Sequence, residues 1–213
     1  MSDTLTQIGH IGIIPVVALD DPTQAVLLAQ ALLDGGLPCA EFTFRTTAAA
    51  AAIQAASQAF PNMLIGAGTV LSVAQAKEAV AAGAKYILAP GFDASVVDYC
   101  LTQQIPVLPG VMTPTDITQA IGRGLTLLKF FPAEAAGGVA ALKAMSDPFV
   151  DIRFVPTGGI NTQNLADYLR LPMVHACGGS WLVKKSLIIA GDFATITELA
   201  QEAVAIVQTV THA

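Results

Sequence analysis

The sequence predicts an α/β protein built as a single (β/α)8 TIM barrel with a short N-terminal extension. Short apolar segments alternate with longer helical segments eight times along the 213 residues, a pattern typical of parallel strands connected by helices. Barrels of this kind commonly use about 200 residues or more as one unit. No linker rich in Ser, Pro or charge interrupts the chain, so we expect residues 1–213 to form one domain.

The predicted strands are short runs of apolar and β-branched residues that end at Gly, Pro or polar residues. In chain order they span residues 11–19, 39–44, 63–70, 86–89, 106–108, 125–131, 152–155 and 173–177. An open, doubly wound sheet is the alternative architecture. The eight repeats and the lack of a G-x-G-x-x-G motif after the first strand favour the barrel.

Each predicted helix begins near a residue that caps helix N-termini or suits the first turn. Such residues stand at Asp21, Ser72, Asp93, Thr113 and Asn161. The alanine-rich segment 48–59 is interpreted as a helix rather than a linker, because alanine has the highest helix propensity. The last helix is predicted over residues 193–209, with a frayed tail over residues 209–213.

The composition argues against several classes of partner. A formal charge of −6 and a pI near 4.8 disfavour nucleic acid and anionic membranes, and no apolar run is long enough to span a bilayer. Residues 1–12 lack the features of a signal peptide. Cys39, Cys100 and Cys177 form no C-x-x-C pair, and the three histidines show no metal-ligand spacing. We therefore expect reduced thiols, a cytoplasmic location and no metal site.

Lys129 is the most informative residue, because it lies inside an otherwise apolar predicted strand. A lone ammonium is strongly disfavoured in a low-dielectric interior, so a buried lysine tends to become a neutral amine. Such an amine is the nucleophile of enzymes that form a Schiff base with a carbonyl substrate. The alternative is that Lys129 extends its head group to the rim of the sheet.

Glu41 and Arg45 form a second group of candidates. Strand alternation would place Glu41 on the same face as Thr43 and Arg45, facing the interior. The guanidinium of Arg45 suits a substrate carboxylate, and Glu41 beside a lysine could serve as general acid and base. A purely structural pairing of Glu41 with Lys129 or Arg45 is the alternative.

Other special residues also follow predicted strands, where barrels carry their functional groups. Thr69 lies at the end of the third strand, and Pro90 follows the fourth. Two glycine-bearing loops, 157–161 and 178–181, follow the seventh and eighth strands. Phosphate is commonly bound at these two loops of a barrel by backbone N–H groups. The sequence therefore predicts a phosphorylated or otherwise anionic substrate.

Six segments together resemble the bacterial 2-keto-3-deoxy-6-phosphogluconate (KDPG) aldolases, which often also cleave 4-hydroxy-2-oxoglutarate. The segments are E-F-T-F-R-T (41–46), G-A-G-T-V (66–70), P-G (90–91), K-F-F-P-A-E (129–134), P-T-G-G-I (156–160) and G-G-S-W-L (178–182). They occur in the family's order and span most of the chain, and K-F-F-P-A-E with P-T-G-G-I is the most specific combination. The relatives that act on the galactonate-derived substrate look to carry a different residue at position 45, so the resemblance with arginine there implies the gluconate type.

This resemblance implies a class I aldolase that acts as a homotrimer of barrels on a small 2-keto acid, without metal or cofactor, in the Entner–Doudoroff pathway. It implies Lys129 as the Schiff-base lysine and Glu41 as the acid and base. It implies that Arg45 and Thr69 hold the keto-acid end of the substrate. Pro90 and Phe131 would shape the pocket, and Thr157 would also line it. The phosphate would be bound by Gly158, Gly159, Gly179 and Ser180.

Two other hypotheses remain open at this point. One is a metal-dependent aldolase or decarboxylase on the same barrel, which would need clustered His and carboxylate ligands. The other is a non-catalytic barrel that senses a phosphorylated sugar acid. Such a sensor would not need a buried amine nucleophile, so Lys129, Glu41 and Arg45 together favour the enzyme.

Overall fold

The computed structural model describes residues 3–211 and consists of parallel strands surrounded by helices. The strands are β1 (Ile13–Val17), β2 (Cys39–Thr43), β3 (Leu64–Gly68), β4 (Ile87–Leu88), β5 (Val107–Leu108), β6 (Gly110–Val111), β7 (Leu127–Phe130), β8 (Arg153–Pro156) and β9 (Cys177–Gly179). The helices are α1 (Asp3–Ile11), α2 (Ala25–Asp34), α3 (Ala49–Ala59), α4 (Val73–Ala81), α5 (Ala94–Thr102), α6 (Pro114–Ile121), α7 (Gly138–Ser146), α8 (Leu165–Leu169), α9 (Lys185–Ala190) and α10 (Phe193–Thr211). Short 3-10 turns span Pro22–Gln24 and Trp181–Val183.

The prediction of a closed eight-stranded TIM barrel is wrong. Regular pairing produces a six-stranded parallel sheet in the order β5-β4-β3-β2-β1-β9 and a separate three-stranded parallel sheet in the order β6-β7-β8. Isolated bridges, Phe154 with Val174 and Thr157 with Gly178, relate the smaller sheet to the segment around β9. The fold is therefore an α/β, barrel-like arrangement of two sheets.

The division into two sheets has a local cause at Pro109. The predicted fifth strand, residues 106–108, ends there as expected, and Val107–Leu108 pair with β4. The chain then continues past Pro109 into a further short strand that was not predicted, and Gly110–Val111 pair with β7. Proline has no N–H to donate to a ladder and commonly interrupts a strand. At the other junction, regular pairing of the predicted eighth strand begins only at Cys177, where the chain joins β1.

Sequence periodicity located most of the helices but missed α1 at the N-terminus and α9 over Lys185–Ala190. Residues 3–11, which we expected to be part of a polar extension and the start of the first strand, form α1. At the other end, α10 continues to Thr211 rather than fraying from residue 209, while residues 212–213 of the predicted tail lie outside the described residues. The buried side chains of α10 recur with helical spacing, because one face packs on the core. They are Ile196, Ala200, Ala203 and Val207.

The strands are buried on both faces, as expected for parallel strands covered by helices. The larger hydrophobic cluster lies between the strands and helices. A smaller cluster combines Ile8 of α1 with inward residues of the strands, including Leu64, Leu88, Leu108 and Val155. Helix α1 therefore contributes to the interior packing formed by the early parts of the strands. The candidate functional residues lie farther along each strand and in the loops that follow.

Candidate active site

Lys129 and Glu41 form a buried ion pair between β7 and β2. Lys129 Nζ donates to Glu41 Oε1 at 3.2 Å, and the two side chains are 5% and 1% exposed. The amine of Lys129 therefore does not reach the rim of the sheet. The second carboxylate oxygen, Glu41 Oε2, is buried and has no hydrogen-bonding partner within residues 3–211. Buried carboxylate oxygens are usually satisfied, so this atom is available to a ligand.

The backbone of β3 makes room for this carboxylate. Strand β2 pairs with β3, with Glu41 opposite Gly66 and Thr43 opposite Gly68. A methyl group at position 68 would lie only 1.9 Å from Glu41 Oε1. Glycine at this position is therefore required by space, since a real Cβ would displace the Glu41 side chain.

Two aromatic side chains, Phe131 and Tyr86, lie near the ion pair. The Phe131 ring centroid lies 5.5 Å from Lys129 Nζ, close enough for a cation–π contact. Tyr86 is fully buried, and its hydroxyl donates to the carbonyl oxygen of Ala40 at 3.1 Å. Burial raises the pKa of Tyr86 well above its ordinary value, and the neighbouring Cys39 and Glu41 raise it further. Tyr86 therefore remains a neutral donor beside β2.

A cavity of about 240 Å³ opens on the ion pair and brings together nearly all the residues predicted from sequence. Its lining includes the predicted Glu41, Arg45, Thr69, Pro90, Lys129, Phe131, Thr157, Gly158, Gly159 and Ser180. Val16, Ile160 and Gly178 line it as well. Apolar walls with a few convergent polar groups are typical of a small-molecule site.

Arg45 lies at the edge of this cavity, in a different position from the one that strand alternation predicted. Strand β2 ends at Thr43, so Arg45 is in the following turn and its side chain is exposed. Its Nε donates to Thr43 Oγ1 at 3.1 Å, and the Thr43 hydroxyl donates to the Val17 carbonyl at 2.8 Å. This arrangement fixes the inner end of the guanidinium, while its terminal nitrogens have no acceptor within the described part of the chain.

The Gly158-Gly159 loop forms another wall of the cavity. Both glycines have positive φ angles, 101° and 84°, which favour glycine over other residues. Their N–H groups donate no hydrogen bond to any residue between 3 and 211. Unpaired backbone N–H groups at a concave surface are suited to binding an anion.

Gly179, predicted as a phosphate-binding residue, does not line the cavity. It is buried, and a methyl group there would lie 1.9 Å from the indole ring of Trp181. Its neighbours Gly178 and Ser180 face the cavity instead. Successive residues of a strand point to opposite faces, so the two-residue period could have identified Gly178 in place of Gly179.

Val16 and Ile160 were missed because apolar residues carry no chemical signal in a single sequence. Val16 pairs in register with Glu41, which places it beside the carboxylate. That register comes from the pairing of β1 with β2 and is visible only in the folded structure.

Two further searches cover the described residues. Between residues 3 and 211, no group of three or more His, Cys, Asp or Glu side chains is placed to hold a metal ion. None of the helices in the same range is both long enough and apolar enough to cross a membrane.

The sequence is similar to a known family profile and to known aldolases. The family profile described as KDPG and KHG aldolase matches residues 6–199. The 2-dehydro-3-deoxy-phosphogluconate aldolase of Treponema pallidum is 49% identical over 198 residues, which cover 93% of this chain and 94% of that protein. The KHG/KDPG aldolase of Escherichia coli K12 is 43% identical over 192 residues, which cover 90% of each protein.

Solved structures agree with the sequence comparisons. The KDPG aldolase of Legionella pneumophila, determined with pyruvate captured as a covalent carbinolamine intermediate, has a TM-score of 0.91 at 38% identity and covers 95% of this chain and 98% of its own. The KDPG aldolase of Zymomonas mobilis with 3-phosphoglycerate has a TM-score of 0.88 at 38% identity and covers 96% and 95%. The chain therefore belongs to the KDPG and KHG aldolase family of carbon–carbon lyases.

Proposed function

We propose that this protein is a Schiff-base aldolase that cleaves KDPG to pyruvate and glyceraldehyde 3-phosphate. By the same chemistry it would cleave 4-hydroxy-2-oxoglutarate to pyruvate and glyoxylate. The observation that carries the proposal is the buried Lys129–Glu41 pair, which opens on a small cavity and leaves one carboxylate oxygen unpaired. The names of the similar aldolases support the choice of substrates.

Covalent bond formation is the first stage of the proposed mechanism. Glu41 lies at hydrogen-bonding distance from Lys129 Nζ and can take its proton. The neutral amine attacks the C2 ketone of the 2-keto acid, and Glu41 transfers protons as the carbinolamine loses water. The product is a protonated imine, which is an electron sink at C2.

Carbon–carbon cleavage follows from this electron sink. Glu41 removes the proton of the C4 hydroxyl group, the C3–C4 bond breaks, and its electron pair moves toward the imine. Glyceraldehyde 3-phosphate leaves, and a pyruvate enamine remains on Lys129. Glu41 then returns a proton to the enamine carbon, and water hydrolyses the imine to release pyruvate. One amine and one carboxylate suffice for every proton transfer in this sequence.

The two ends of the substrate are assigned to different walls of the cavity. Arg45 and Thr69 would hold the carboxylate of the keto acid, because a guanidinium with free terminal nitrogens matches a carboxylate. The unpaired N–H groups of the Gly158-Gly159 loop, with Ser180, would bind the phosphate. Pro90, Phe131 and Thr157 would shape the space between them. Gly179 is assigned only an indirect role, through Trp181.

Several broader properties belong to the same proposal. We assign no metal or cofactor to the reaction, since the covalent lysine supplies the electron sink. The protein would act as a homotrimer in the cytoplasm, in the Entner–Doudoroff pathway. All three cysteines are free and buried, which is consistent with a reducing compartment.

Borohydride reduction in the presence of pyruvate tests the mechanism. The imine formed with pyruvate should be reduced to a stable amine, and the peptide that contains Lys129 should gain a pyruvate-derived mass. Lys129→Ala should lose both the adduct and turnover. Lys143, an exposed lysine of α7, supplies the matched control, so Lys143→Ala should keep both. The absence of an adduct on the wild-type protein, or its persistence in Lys129→Ala, would overturn the mechanism.

A further inference from the structure

Glu134 ends the K-F-F-P-A-E segment but has no role in the chemistry described above. It is exposed and does not line the cavity. Its Oε1 nevertheless accepts a hydrogen bond from the hydroxyl of Tyr168, a side chain of α8 that is fully buried. An exposed glutamate normally stays solvated and mobile, so a hydrogen bond to a buried tyrosine indicates that its position matters.

The backbone around Glu134 is bonded directly to the glycine loop. The N–H of Glu134 donates to the Gly158 carbonyl at 3.0 Å, and the N–H of Ala133 donates to the Thr157 carbonyl at 2.8 Å. The side chain of Glu134 also covers Gly159, where a methyl group would lie 2.5 Å from both Cβ and Cγ of Glu134. Glu134 therefore contacts the Gly158-Gly159 loop through both its backbone and its side chain.

Residues in the turn before α8 also hydrogen-bond to the same loop. The side-chain amides of Asn161 and Asn164 donate to the Gly159 carbonyl at 3.2 and 3.1 Å. The hydroxyl of Tyr168, farther along α8, donates a hydrogen bond to Glu134 and so connects this helix to the segment that contacts the loop. Burial raises the pKa of Tyr168, and the hydrogen bond to Glu134 raises it further, so the hydroxyl remains a donor throughout the neutral range.

We propose that Glu134 and Tyr168 are positioning residues that hold the Gly158-Gly159 loop in the shape that receives a phosphate group. They thereby set the preference for phosphorylated over unphosphorylated 2-keto acids. This inference rests on the proposed function for the assignment of the loop to phosphate. The Tyr168 hydroxyl also holds the negative carboxylate of Glu134 outside the cavity, where it does not oppose a bound anion.

The test compares three variants on two substrates. Glu134→Ala and Tyr168→Phe each remove one partner of the hydrogen bond, whereas Glu134→Gln keeps an acceptor for the Tyr168 hydroxyl. We expect the first two to raise KM for KDPG by about tenfold, the loss expected for a hydrogen bond to a charged group. Their KM for 4-hydroxy-2-oxoglutarate should stay within about twofold of wild type, and Glu134→Gln should resemble wild type on both substrates.

A direct binding measurement separates this inference from the aldolase proposal. Calorimetric titration with 3-phosphoglycerate should show weaker binding to Glu134→Ala and Tyr168→Phe, with melting temperatures near that of wild type. Asp167→Ala is the matched control, because Asp167 is an exposed carboxylate of α8 that pairs with Arg170. It should leave KM and phosphate binding unchanged.

Two patterns of results would contradict the inference. Equal KM increases on both substrates would indicate a general structural role, and unchanged 3-phosphoglycerate binding would indicate no role. Either result is compatible with a pyruvate adduct at Lys129, in which case the aldolase proposal stands. Conversely, a selective loss of 3-phosphoglycerate binding without any pyruvate adduct in wild type would support the positioning role and overturn the aldolase mechanism.

Discussion

Thr69 shows how a single residue at the cavity is held in an unfavourable backbone conformation. Its φ angle is 54°, in the left-handed region, although its side chain is β-branched. This conformation is unfavourable for such residues by about 1–2 kcal/mol. Thr69 follows β3 and lines the cavity beside the candidate catalytic pair. The observed strain fits a residue selected for what it contacts rather than for stability.

Replacing Thr69 by glycine should separate stability from activity. Thr69→Gly should raise the free energy of unfolding by about 1 kcal/mol, because glycine adopts the left-handed region without steric cost. It should also raise KM for the 2-keto acid, since the Thr69 side chain is lost from the cavity wall. Denaturant unfolding and steady-state kinetics measure the two effects.

Gln104 provides the comparison within the same protein. It also has a positive φ angle, 57°, but lies in the exposed turn after α5, away from the cavity. Gln104→Gly should therefore bring a similar gain in stability with unchanged kinetics. If Thr69→Gly kept the wild-type KM, the role assigned to the Thr69 side chain would be wrong.

Single residues also show what the sequence can reveal about the site. Lys129 and Glu41 are visible because a charged residue in a predicted buried strand requires an explanation. Val16 is invisible, because an apolar residue in a strand is expected whether or not it lines a cavity. Arg45 was expected to face the interior with Glu41, but it lies in the turn after β2 and its side chain is exposed.

Among the secondary structure elements, β3 acts on the site without contributing a reactive group. Its glycine at position 68 faces the Glu41 carboxylate across the β2–β3 ladder, at a distance that excludes any side chain. The position of Glu41 relative to Lys129 therefore depends on the absence of a side chain on the neighbouring strand.

Gly68→Ala should displace Glu41 and lower kcat by about 100-fold, the typical effect of a displacement of about 1 Å in a catalytic group. The fold should persist, because overpacking by one methyl group costs about 1–3 kcal/mol. Circular dichroism and steady-state rates measure the two outcomes. Gly122→Ala at the end of α6 is the control, since a methyl group there has only ordinary contacts at 3.6 Å. A Gly68→Ala variant with the wild-type rate would contradict this account.

The elements differed in how well local sequence predicted them. Caps at Ser72, Asp93 and Thr113 were correctly located, because capping depends on neighbouring residues alone. Helix α1 was missed, since a short polar segment has little helix signal until Ile8 packs beneath the strands.

Across the whole molecule, the alternation of strands and helices was predictable and the closure of the sheet was not. Alternation is a local pattern of hydrophobicity. Closure depends on whether backbone groups near Pro109 and Cys177 pair with neighbouring strands. That pairing is determined by residues that are distant in sequence. The predicted eight-fold pattern therefore identified the strand regions but gave the wrong sheet arrangement.

The burial of all three cysteines makes thiol labelling a reporter of global unfolding. Burial raises the pKa of Cys39 to about 12 and that of Cys100 to about 11, and it raises the pKa of Cys177 as well. We expect no reaction of the native protein with dithiodipyridine near pH 8, and reaction of three thiols in denaturant. Absorbance of the released thiopyridone measures the labelling.

The raised pKa values also predict that the thiols lose their protection from labelling as the pH rises. The folded-state pKa of each thiol lies above its unfolded value. The contribution of the thiols to the free energy of unfolding is therefore fully present below about pH 8.5 and is lost as the pH rises through the folded-state values. Labelling should therefore accelerate at alkaline pH. Val150→Cys, at a side chain that is 85% exposed, should react at once and serves as the positive control. Rapid reaction of a native thiol in the wild type would show that the interior opens locally.

The two backbone hydrogen bonds from Ala133 and Glu134 to the glycine loop have a consequence for substrate length. They join the segment that follows Lys129 to the loop that follows β8, so main chain sets the spacing between the Lys129 backbone and the loop. The buried ion pair with Glu41 holds the Lys129 amine at the end of its side chain. This fixed spacing limits the length of a substrate that can contact both the amine and the loop. Under the proposed mechanism, a keto acid attached to Lys129 would reach the Gly158-Gly159 loop only if its carbon chain matched that spacing, and a longer or shorter homologue would lose contact at one of its two ends.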